Sequence, residues 1–241
     1  MKEGKIMNYL QTYFPFGPPI GHIKLPDELV NDLNKGCDDI IKDKELSKSQ
    51  DWSHNLVGQV EQELLIPKDI INKWSEWFGI QLRSYVSGYL DQFNIPEQNI
   101  ISDSKEQKVQ AVNKVQLNIK SAWYIRSFAG DYNPIHTHGD CELTCVGFLK
   151  VPDLSGERRK SIPYSHHTHG PHGVLEILSS NGSTDTVFYE NDTVGLTPKV
   201  GNWYLFPANL RHTVYPFKSD GERRSFSINM NTNMFKNASE T

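Results

Sequence analysis

The chain has 241 residues, with 25 Lys and Arg against 29 Asp and Glu, for a formal net charge of −4. That balance argues against nucleic-acid binding through bulk phosphate neutralisation and against a polybasic membrane-surface protein. Hydrophobic residues make up 37%, enough for a packed core. No run approaches the roughly 18 apolar residues that a membrane span needs.

Met1-Lys-Glu-Gly-Lys leads into polar and aromatic residues and not into an apolar stretch, so no secretion signal is expected. Cys37, Cys141 and Cys145 cannot build a disulfide framework, which makes a reducing cytoplasm the default location. A homodimer stays open, because nothing in the composition bears on oligomeric state.

Taken in chain order, the first third is helical in character. Pro26-Asp-Glu-Leu-Val places a proline and two acids where a helix should begin. Leu29, Val30, Leu33, Ile40 and Ile41 follow at spacings that fit one apolar stripe. Residues 42–53 read as loop, and the segment from Asn55 to Leu65 is ambiguous. Residues 68–93 carry the strongest helix signal, with Ile71, Trp74, Phe78, Leu82, Tyr85 and Tyr89 recurring at three and four residues. Trp74 and Trp77 read as helix packing.

From about residue 113 the pattern changes. Residues 114–128, 143–151, 174–178, 202–206 and 223–230 are short apolar or alternating runs separated by Gly, Pro, Asn and Asp, the pattern of a sandwich or barrel of short strands. Helices followed by strands predict an α+β chain with helices on one outer face of the sheets. With no repeat and no Pro/Ser linker, residues 1–241 are expected to form one domain. Residues 1–112 are then a mainly helical support and residues 113–232 the β core.

Six of the nine histidines fall between His136 and His172. In Gly130-Asp-Tyr-Asn-Pro-Ile-His136-Thr-His138-Gly-Asp140, the two histidines two residues apart project to one face of an extended chain. Asp140 continues the same parity. A second stretch, from Gly201 through Phe206-Pro207 to His212-Thr-Val-Tyr-Pro216, sets another histidine on a short extended run. Beyond the turn at Asp220-Gly221, Arg223, Ser225, Ser227 and Asn229 share one face of a strand, whereas Arg224, Phe226, Ile228 and Met230 share the other. A small polar face ending in a guanidinium suits a cavity wall.

Together these stretches resemble the Fe(II)/2-oxoglutarate-dependent dioxygenases, in particular a small oxygenase group of marine bacteria and phages. The group's Gly-x-Tyr-Asn-x-x-His-x-His stretch corresponds to Gly130–His138, and its later stretch from Gly through Phe-Pro, His and Gly-Glu-Arg to Ser-x-Asn corresponds to Gly201–Asn229. The resemblance implies a double-stranded β-helix (jelly-roll or cupin-like) core with N-terminal helices packed on one outer face. It implies that His136, His138 and His212 hold Fe(II), that Arg223 anchors the far carboxylate of 2-oxoglutarate, and that O2 and a further, unnamed substrate complete the reaction. It also implies hydroxylation coupled to decarboxylation of 2-oxoglutarate to succinate.

The wider superfamily uses two histidines and a carboxylate. This sequence offers that pattern one register later, with Asp140 in place of His136. Arg224 is the alternative anchor. Two other readings stand beside the dioxygenase: a three-histidine cupin-type dioxygenase without 2-oxoglutarate, and a non-catalytic ligand-binding barrel. His166, His167, His169 and His172 lie in a Gly/Pro/Ser-rich stretch and read as a loop near the pocket mouth that does not bind the catalytic iron. Cys145 reads as core.

Overall fold

The computed structural model describes residues 9–13, 15, 18–93, 115–154, 172–178, 193–196 and 198–232. In chain order the elements are β1 (Gln11–Tyr13), β2 (Ile20–Lys24), α1 (Asp27–Lys42), α2 (Lys44–Ser49), β3 (Gln62–Leu65), α3 (Lys68–Phe93), β4 (Asn118–Ser127), β5 (Asn133–His136), β6 (Leu143–Lys150), β7 (Leu175–Leu178), β8 (Thr193–Leu196), β9 (Asn202–Pro207), β10 (His212–Val214) and β11 (Arg223–Asn231). None of the described helices is long and apolar enough to cross a membrane.

Helix α1 starts directly after Pro26, whose φ of −57° suits a helix entry, and carries Asp27 and Glu28 in its first turn. Its stripe of Leu29, Val30, Leu33, Cys37 and Ile40 is buried. The stretch expected to be loop after it contains the short helix α2. Asp43 caps that helix, its carboxylate accepting from the backbone N–H groups of Glu45 and Leu46. This capping signal outweighs the polar composition on which the loop reading rested. The ambiguous segment resolves into a single 3-10 turn at Ser53–Asn55 followed by β3. The N-terminal part is thus mainly helical and also supplies three strands.

Those strands complete a seven-stranded antiparallel sheet in the order β1-β2-β9-β6-β11-β4-β3. Its outer face packs on α1 and α3. Trp77 and Phe78 meet Trp203 of β9 at 5.5 and 6.0 Å, and Phe78 meets Phe226 of β11 at 6.5 Å. Phe226 lies opposite Gly147 of β6, and a Cβ at Gly147 would sit 2.2 Å from the Phe226 ring. Only glycine leaves room for that ring.

A four-stranded antiparallel sheet, in the order β5-β10-β7-β8, covers the inner face. Between the sheets lies a second apolar cluster that joins Phe148, Tyr204 and Phe206 of the large sheet to Leu175, Ile177 and Leu196 of the small one. Beyond this cluster the interlayer becomes polar.

Candidate metal centre

The small sheet brings the histidines together. Strands β5 and β10 pair with His212 opposite His136, while His138 follows β5, its backbone N–H donating to the carbonyl of Ala208 at 2.9 Å. The three side chains each offer one ring nitrogen, and these atoms lie within 4.8 Å of one another. Asp140 lines the same cavity but falls outside that group. Its φ of +56° marks a turn after His138 that ends the extended parity.

The ring nitrogens are pre-set for a cation. His136 Nδ1 and His212 Nδ1 contact the carbonyls of Pro134 and Leu210 at 2.7 and 2.8 Å. A carbonyl only accepts, so each Nδ1 carries the proton and each Nε2 presents a lone pair. Burial lowers the pKa of all three, to about 4 for His138 and about 3 for His212, with charge repulsion from His136 adding to the effect on both. They are therefore neutral at pH 7. His138 Nε2 stands 3.2 Å from His212 Nε2. Two nitrogens bound at ~2.1 Å and at right angles to one ion would be about 3 Å apart, so the donor set fits a single transition-metal ion.

The large sheet forms the opposite wall, where Arg223, Ser225, Ser227 and Asn229 all line a cavity of about 450 Å³ that also holds the three histidines. Arg223 is 1% exposed. Its Nη1 donates to the carbonyl of Gly173 at 3.0 Å and its Nη2 to Ser127 Oγ at 3.4 Å, while Nε has no hydrogen-bond partner among the described residues. Burial lowers its pKa to about 10, so it stays charged at neutral pH. No acidic side chain forms an ion pair with it among the described residues. Arg224, by contrast, faces the helices, where it pairs with Glu222 and Asp38 at 2.9 and 2.8 Å and donates to Asn34.

The cavity also contains residues that the sequence reading did not single out: Glu63 of β3, Asn133 of β5, and Trp52. Glu63 lies in the segment that the sequence left ambiguous, Trp52 in the stretch read as loop, and Asn133 within the Gly130–His138 motif, where only the histidines drew attention. Of the histidine-rich loop, only His172 is among the described residues. Cys145 is fully buried in the core.

Fold and site together define an α+β protein with a three-histidine cavity between two antiparallel sheets. Residues 121–229, which include all three histidines and Arg223, match the family described as "Putative 2OG-Fe(II) oxygenase". The resemblance carried by the sequence motifs is to this family. No curated protein matches the chain.

Among solved structures, a prolyl-4-hydroxylase from Pseudomonas putida is 12% identical, covers 88% of this chain and 91% of its own, and has a TM-score of 0.46. The viral collagen prolyl hydroxylase of Paramecium Bursaria Chlorella virus-1 is 16% identical, with coverages of 88% and 94% and a TM-score of 0.46. The carbocyclase SnoK from nogalamycin biosynthesis is 12% identical, with coverages of 92% and 81% and a TM-score of 0.49.

Proposed function

We propose that the chain is an Fe(II)- and 2-oxoglutarate-dependent dioxygenase built as one domain on a double-stranded β-helix core. His136, His138 and His212 hold the iron, and Arg223 binds the distal carboxylate of 2-oxoglutarate. The observation that carries this reading is Arg223, a buried guanidinium that forms no ion pair among the described residues, on the wall of the cavity that holds three neutral imidazoles. A buried cation is costly unless an anion meets it, and a carboxylate matches the planar fork of donors.

When bound, iron supplies the activation of O2 that couples decarboxylation of 2-oxoglutarate to succinate and CO2 with hydroxylation of a substrate C–H bond. The protein's part is placement. The carbonyls of Pro134 and Leu210 hold two imidazoles in the ligating tautomer, and Gly173 and Ser127 hold the guanidinium in line. The small side chains of Ser225 and Ser227 leave the wall open between anchor and metal.

Anaerobic titration with Fe(II) and 2-oxoglutarate tests the proposal. The expected result is a visible charge-transfer band that needs both components and disappears in His212→Ala. No band, with no binding of 2-oxoglutarate by calorimetry, would overturn it. A second reading, a three-histidine dioxygenase that dispenses with 2-oxoglutarate, draws on the all-imidazole donor set. Under that reading Arg223 has no carboxylate to bind, and the same calorimetry separates the two.

A further inference from the structure

Opposite in charge to Arg223, a second buried ionisable group lines the same cavity. Glu63 is 1% exposed. It sits on β3, at the end of a row across the large sheet that runs through Ile125 of β4 to Ser225 of β11. It is therefore on the same wall as the anchor but two strands away, and no ion pair joins it to Arg223 among the described residues.

Among the described residues, Glu63 Oε2 has no hydrogen-bond partner, and neither does Asn133 Oδ1 on the facing sheet. The two side chains flank Gly58: a Cβ placed there would lie 2.9 Å from Glu63 Oε1 and 3.2 Å from Asn133 Nδ2. Burial, with the Asp51 carboxylate nearby, raises the Glu63 pKa to about 7, and no cation among the described residues offsets this. Trp52, whose backbone N–H donates to the Glu63 carbonyl at 2.9 Å, lines the cavity beside it.

We infer that Glu63 and Asn133 form the recognition subsite for the substrate to be oxidised, and that this substrate carries an ammonium group. Two buried acceptor atoms without donors call for a ligand rich in N–H, because an unmet buried acceptor costs stability unless the ligand supplies what the fold does not. An ammonium meets both oxygens with its three donors and neutralises the carboxylate. An indole in the same wall favours a cation further. A carboxylate or phosphate substrate would instead be repelled by the ionised form of Glu63.

Asn133 lies three residues before His136 on β5, about 10 Å along the strand. The ammonium is thus separated from the reacting carbon by a spacer of several bonds. This inference rests on the oxygenase reading for the reaction, but the subsite itself is defined by residues that bind neither metal nor 2-oxoglutarate.

The test is calorimetry on the protein loaded with Zn(II) and 2-oxoglutarate, using n-pentylammonium against 1-pentanol. Nα-acetyl-lysinamide against its Nε-acetylated counterpart covers a lysine carried on a peptide. The expected result is at least tenfold preference for the charged member of one pair. Glu63→Gln should remove that preference, and Asn133→Ala should reduce it. Equal binding within both pairs by the wild-type protein overturns the subsite, whether or not the variants fold. So does an undiminished preference in folded Glu63→Gln. Failure of 2-oxoglutarate to bind in the same cell overturns the oxygenase reading instead, and the probe pairs measured without it then judge the subsite alone.

Discussion

His138 and His212 meet through their Nε2 atoms at 3.2 Å, with the two rings only 8° from parallel. The His212 Nε2 offers a lone pair, since its Nδ1 proton is committed to Leu210. His138 can either donate a proton into that lone pair or share a cation with it. Replacing either imidazole removes a third of the donor set. His212→Ala and His138→Ala are each expected to lose Fe(II) or Zn(II) on desalting, measured as metal per chain by atomic emission. The Asp140→Ala variant should retain its metal, because Asp140 stands outside the group.

The same burial makes the metal-free chain sensitive to acid. In the unfolded chain these histidines titrate near ~6.5, whereas folding lowers His138 to about 4 and His212 to about 3. The unfolded state therefore binds more protons throughout that interval. Stability is full above about pH 6.5 and falls as the pH drops towards the folded values, by on the order of a few kcal/mol. Urea denaturation of the metal-free protein between about pH 7.5 and 4.5 measures this. The double variant His138→Leu/His212→Leu should flatten the profile, and an unchanged slope in it would assign the acid sensitivity to other groups.

The parity of β11 was legible in the sequence, and its consequence is a sharp contrast between two adjacent arginines. Arg223 faces the cavity and is expected to bind 2-oxoglutarate. Its loss in Arg223→Ala should weaken that binding by about 2–5 kcal/mol, the typical effect of truncating a buried charge-assisted contact. Arg223→Lys should not restore it, because a point charge does not reproduce the planar fork. Calorimetric affinity for 2-oxoglutarate decides.

Arg224 faces the helices and serves the fold. Its Nε and Nη2 engage both oxygens of Glu222, and Nη2 also reaches Asp38 of α1 at 2.8 Å. Arg224→Ala leaves Glu222, 14% exposed at its side chain, with only Arg126 and Lys150 as ion-pair partners among the described residues. The expected result is a loss of about 3–5 kcal/mol in stability by denaturant titration, with 2-oxoglutarate affinity in the folded fraction unchanged. A drop in that affinity would mean that the two faces of β11 are not independent.

These contrasts indicate which features the sequence could reveal. Alternation in β11 and the His-x-His pair are local patterns of period two, so the strand faces and the shared side of His136 and His138 follow from neighbouring residues alone. The place of Glu63 does not. It depends on β3 joining β4 across more than fifty intervening residues, and Gln62-Glu-Leu-Leu is too short to show a period. The alternative register through Asp140 rests on parity extrapolated past His138, which assumes a strand that the turn at Asp140 interrupts. Strands β1 and β2 end the sheet in a part dominated by helical signals, and only the pairing of β2 with β9 and of β1 with β2 identifies them.

Packing on the helical side should also reach the cavity through β11. Phe226 projects outward between Arg223 and Ser227, whose side chains line the cavity, and its ring occupies the space that a Cβ on Gly147 would need. Gly147→Ala therefore forces either the ring or the strand to move. Because Phe226 is fully buried against Phe78, the ring has little room, and overpacking of this kind costs about 1–3 kcal/mol. A shift of β11 would carry Arg223 with it, so Gly147→Ala should lower 2-oxoglutarate affinity as well as stability. Phe226→Ala alone should cost about 3–5 kcal/mol through the cavity it leaves. In the double variant the clash is gone, so its cost should fall below the sum of the single variants, and part of the lost affinity should return. Measuring denaturant stability and 2-oxoglutarate binding across this cycle separates the two effects. Strict additivity in both would show that Phe226 and Gly147 do not constrain each other and that the position of β11 is set elsewhere.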